Sequence, residues 1–87
     1  MGIEYLARVP ESARVAVTDA FGRELAPLLQ KLDPKANDAF PNIYVKPTPE
    51  GVYLCDNLTN QVVASQVIRA VLDVLLRYSP SVEFIEP

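Results

Sequence analysis

Residues 42–78 read NIYVKPTPEGVYLCDNLTNQVVASQVIRAVLDVLLRY: two short apolar runs, a proline-rich turn and a long amphipathic run in close succession. Asn42 to Lys46 and Gly51 to Cys55 predict two strands, because β-branched and aromatic residues alternate in both and turn formers bound them. Pro47-Thr48-Pro49-Glu50 then reads as a four-residue hairpin loop. Pairing Lys46 with Gly51 sets Val45 opposite Val52, Ile43 opposite Leu54 and Tyr44 opposite Tyr53, so one face is aliphatic and the other aromatic.

A helix follows the hairpin. Asp56, Asn57 and Thr59 are all good cap residues, and a cap at Thr59 lets Leu58 staple onto Val63 one turn later. Asn57-Leu58-Thr59 also matches a glycosylation acceptor, and its local meaning is this cap. The helix runs to about Tyr78, where Ser79-Pro80 stops it. Twelve of the seventeen residues from Val62 to Tyr78 are apolar, and Ser65, Gln66, Arg69, Asp73 and Arg77 are the rest. A helix resting on one sheet needs an apolar stripe only somewhat over ~100° wide. The surplus, Ala64, Leu72 and Leu76 or Ala70 and Val74, is expected to form an exposed patch unless a second chain covers it. Arg69, Asp73 and Arg77 read as a solvated charge ladder.

Upstream, Ile3 to Val9 alternates and ends at Pro10, which predicts a first strand. From Glu11 to Leu32 apolar residues recur at three- and four-residue steps, which predicts an amphipathic helix. Gly22 and Pro27 disturb that period, and a break near Gly22 with a second helix starting around Arg23 accommodates both. A rival reading makes Arg14 to Thr18 a strand, since Val15 and Val17 alternate with Ala16 and Thr18. Asp33 to Asp38 is a polar loop, and Val82 to Ile85 a last short strand.

The order strand, helix, strand, strand, helix, strand predicts an α+β two-layer sandwich of the split βαβ, or ferredoxin-like, kind, with a four-stranded antiparallel sheet and both helices on one face. With 87 residues the chain is expected to form one domain, residues 1–87. Many unrelated activities use this superfold, so the topology carries almost no functional information.

Composition removes most chemistry. There is no His and no Trp, and Cys55 is alone, so histidine-based triads, zinc sites and disulfides are excluded. The carboxylates are scattered; Asp19 and Glu24, flanking Gly22, come closest to an acid–base pair. Cys55 lacks a histidine to activate it and reads as a small strand residue. Three glycines at positions 2, 22 and 51 cannot form a phosphate-cradling loop. The expectation is therefore no enzyme, no catalytic residue, no metal and no cofactor. No run reaches the ~18 apolar residues of a membrane span, and a reduced cytoplasm is the expected location for a chain with one cysteine and no signal segment.

The predicted sheet leaves Tyr44, Tyr53, Lys46, Cys55, Leu6, Arg8, Glu83 and Ile85 on the face opposite the helices. Aromatic side chains on an open sheet can stack nucleic-acid bases. Charge argues against it: the chain is −3 overall, and from residue 46 onward Lys46, Arg69 and Arg77 stand against Glu50, Asp56, Asp73, Glu83 and Glu86. The sequence thus points to a small self-associating interaction module, a homodimer using Tyr44, Tyr53 and Cys55 or Leu72, Val74 and Leu76. Two rivals are a regulatory domain holding a small ligand at a dimer interface and an acidic antagonist of a basic protein partner. Nucleic acid and membrane are not expected partners.

Overall fold

In the computed structural model, which describes residues 2–87, the hairpin is formed by β2 (Ile43–Thr48) and β3 (Gly51–Asp56), and β1 (Ile3–Arg8) and β4 (Glu83–Ile85) complete a four-stranded antiparallel sheet in the order β2-β3-β1-β4. β3 lies antiparallel between β1 and β2, which therefore run in the same direction. That insertion is the one a split βαβ connection requires.

The hairpin register differs from the expected one by two residues. Lys46 pairs with Tyr53 and Thr48 with Gly51, leaving only Pro49-Glu50 in the turn. Pro47 is inside a strand because β2 is an edge, where a missing N–H faces no neighbour. A shift of two preserves the faces: Ile43, Val45, Val52 and Leu54 still point to one side, Tyr44 and Tyr53 to the other. Gly51 is required by close approach, since a Cβ there would stand 2.0 Å from the Ala7 carbonyl oxygen.

The first helical segment does not break at Gly22. A 3-10 turn (Glu11–Ala13), α1 (Arg14–Ala20), a π-helical turn (Phe21–Leu25) and α2 (Ala26–Leu32) form one continuous path. The Ala26 amide bonds the Phe21 carbonyl, five residues back, so the chain absorbs Pro27 by widening one turn instead of stopping. Arg14 to Thr18 is helix, not strand: Val17 enters the core while Val15 stays in solvent, a helical spacing of burial. Helix α3 (Gln61–Tyr78) is capped by Asn60, whose side chain accepts from the Val62 and Val63 amides at 3.1 Å each. Thr59 instead donates to Asn42 Oδ1 at 2.7 Å, and with the cap at Asn60 the staple position falls on Thr59 and no longer on Leu58, which is exposed at φ 60.

The helices cover one face of the sheet. Ala7, Val9, Ile43, Val52 and Leu54 pack against Val17, Ala20 and Leu25 from the first segment and Val67, Val71, Val74 and Leu75 from α3. The accessible surface is 5328 Å², close to the ~5,100 Å² that scaling gives a monomer of this mass. Most of the apolar surplus of α3 is thereby absorbed. Val74, expected on an exposed patch, is 1% exposed and belongs to the core, as does Ala64. The reason is lateral: α1, the π turn and α2 all lie against α3 and take up its second flank.

Candidate interaction surface

Among the described residues, none covers the sheet face away from the helices. Three rows cross it: Tyr44, Cys55 and Glu4; Lys46, Tyr53, Leu6 and Ile85; and Thr48, Gly51, Arg8 and Glu83. The two-residue period of the strands suffices to put these side chains on one face, while strand order and register decide which of them share a row.

Tyr53 is the hub. Its ring meets the edge of Tyr44 with centroids 6.2 Å apart, and the Lys46 ammonium lies 5.3 Å from its centroid. Its hydroxyl donates to Glu4 Oε1 on β1. The carboxylate acceptor holds the phenol in its protonated form and pushes its pKa up, with desolvation adding to the effect. Tyr44 is 45% exposed, whereas Tyr53 and Cys55 are half-buried. The Cys55 thiol donates to Asn57 Oδ1 at 3.6 Å. At the far edge Arg8 and Glu83 form an exposed ion pair at 2.5 Å, a contact worth about 0–1 kcal/mol. Glu4, Arg8, Lys46 and Glu83 give the face two charges of each sign.

The remaining predicted surface residues lie in the other layer. Leu72 is half-buried and Leu76 is 52% exposed, both on α3, so the fold does not unite them with the tyrosines. No helix is long and apolar enough to cross a membrane among the described residues.

Asp19 and Glu24 are brought together, but as part of a clasp. Arg23 donates to Asp19, to Glu24 at 3.4 Å and to the Tyr78 hydroxyl at 3.1 Å. Glu24 also accepts from Arg77 at 3.0 Å and from Tyr78. Arg77 thus turns to Glu24 across the helix pair, and among the described residues the expected ladder with Asp73 forms no ion pair. Both carboxylates are held by cations, an arrangement that ties the π turn to the end of α3.

Sequence reasoning missed a polar core. Asp33, 2% exposed, accepts from the Asn42 amide at 3.0 Å, the Asn42 side chain at 2.7 Å and the Lys35 amide at 2.9 Å. Asn42 accepts in turn from Thr59, and the Asn57 side chain donates to the Pro41 carbonyl at 2.6 Å. The network joins the loop after α2 to the loop before α3, and among the described residues no buried side-chain polar atom is left without a partner. Its signal was the density of Asp and Asn in two loops, which cannot be paired until the loops are known to meet.

No protein-family model, curated protein or solved structure matches the chain.

Proposed function

We propose that this chain is a small, non-enzymatic interaction module of the reduced cytoplasm that self-associates through the uncovered sheet face. The observation that supports it is the composition of that face: an apolar centre of Leu6, Tyr53 and Ile85, flanked by two charges of each sign. Balanced charge suits a two-fold contact, in which one surface must complement itself. With the axis along the strands, β2 of one copy stacks over β4 of the other, and Lys46 approaches Glu83. Tyr53 is already held by Glu4, Lys46 and Tyr44, so little side-chain freedom is lost on contact.

The face is small. Three six-residue strands and the three-residue β4, at ~3.4 Å rise and ~4.8 Å spacing, span roughly 340 Å² in projection, below the ~800 Å² per partner of stable complexes. The dimer is accordingly expected to dissociate in the micromolar range or above. Sedimentation equilibrium over a wide concentration series tests this: a monomer–dimer equilibrium is expected, abolished by Leu6→Glu and unaffected by Leu76→Glu. A chain that remains monomeric at millimolar concentration, or one whose dimer survives Leu6→Glu, would contradict the proposal.

A further inference from the structure

The sheet edge formed by β2 offers a second surface, distinct from the face that carries Tyr53. The Asn57 amide bonds the Asn42 carbonyl at 3.1 Å, and antiparallel pairs alternate along a ladder. Asn42, Tyr44, Lys46 and Thr48 therefore direct their backbone groups at β3, and Ile43, Val45 and Pro47 direct theirs away from the sheet. Pro47 has no amide, and the Ile43 amide reaches the Asp33 carboxylate at 3.4 Å. At Ile43, 4% exposed, the Asp33 loop already covers the edge, so the open part is left with two carbonyls, of Val45 and Pro47, and a single amide donor, that of Val45; no group among the described residues bonds to these three. Beside this edge lies a cleft of about 170 Å³, lined by apolar residues such as Val45, Phe21, Ala26 and Leu29 and by the polar Gln30 and Asn37.

We propose that the β2 edge and this cleft form a docking site for a short extended peptide from another protein, which adds a strand beside β2 and seats one medium-sized apolar side chain in the cleft. Strand addition takes affinity from main-chain bonds and selectivity from an adjoining pocket, and both elements are present side by side. The cleft is smaller than the ~300–1,000 Å³ of small-molecule sites and has room for one side chain. The hydrogen-bond pattern selects the occupant. Because each copy of this chain has one edge donor, edge-to-edge pairing of two copies makes at most two bonds in any register. A six-residue strand is also far short of the ~20–30 residues a side of a stable dimer. A proline-free peptide, with an amide at every position, satisfies both open carbonyls and receives the Val45 amide in return, one bond more than a second copy can make.

Selection of a displayed random dodecapeptide library on the immobilised chain tests the site, and the Ala26→Phe protein, whose cleft is filled, serves afterwards as a binding control. Enriched peptides are expected to lack proline around one apolar residue. They should bind at least about tenfold more weakly to Val45→Pro and to Ala26→Phe, and slow hydrogen exchange of the Val45 amide in the unmodified chain. Circular dichroism checks the fold of Val45→Pro, and if it is lost the Ala26→Phe and exchange measurements decide. A library with no enrichment, peptides that bind both variants as well as the parent, or peptides that leave Val45 exchange unchanged would overturn the proposal. So would Val45 protection that grows with protein concentration alone, which would assign the edge to a second copy.

Discussion

The Tyr53 hydroxyl on β3 donates to the Glu4 carboxylate on β1, linking the two central strands across the middle of the uncovered face. The phenol is held above 10.0, its ordinary value, first by this bond and then by desolvation. A raised pKa in the folded state means that the unfolded chain loses the Tyr53 proton first as pH rises. The contribution to stability is therefore complete below the ordinary phenol value and is lost as pH climbs through the folded one. Absorbance titration at the phenolate band is expected to show a lower midpoint for Tyr53 in Glu4→Gln; an unchanged midpoint would rule the bond out as the cause.

The two internal glycines should respond in opposite directions. Gly22 lies in the π turn, where an added Cβ would meet no atom within 4 Å, so Gly22→Ala removes unfolded-chain entropy at no steric cost. Thermal melting should show a gain of about 0.5–1 kcal/mol. Gly51→Ala drives a Cβ against the Ala7 carbonyl and should cost more than about 3 kcal/mol. Equal effects would mean that the helical path or the β1–β3 approach is misplaced.

Asp33→Ala strips acceptors from the Asn42, Lys35 and Ile43 amides and the Asn42 side chain at once. Leaving buried donors unmade costs about 1–3 kcal/mol each when no water replaces the partner, so urea denaturation should show a loss of at least about 3 kcal/mol. A loss below about 1 kcal/mol would show that solvent reaches the site.

Val74 and Leu76 are two residues apart on α3 and differ completely in burial. Val74→Ala should cost about 1.5–3 kcal/mol through lost packing, and Leu76→Ala less than about 0.5 kcal/mol. Comparable losses would place the helix in a different rotation about its axis.

The sheet's faces were legible from alternation alone, and α3 from its period and its stop at Ser79-Pro80. The hairpin register was not, because proline suggested a turn and only an edge position makes it tolerable inside a strand. Gly22 and Pro27 read as a break because a π turn leaves no pattern distinct from that of two short helices. On the candidate face, the membership of Tyr44, Tyr53, Lys46 and Cys55 followed from parity, while the Tyr53–Glu4 bond needed β1 beside β3.

Local chemistry along the chain determined which residues form strands and helices, and which side of each strand is apolar, since both depend on neighbours two to four residues apart. Tertiary structure alone decided that Val74 is buried, that Arg77 meets Glu24, that Asp33 caps Asn42 and that β2 stands at the edge with one amide donor. Each of those depends on elements far apart in sequence, whose meeting is set by how one sheet and two helical segments share a single core.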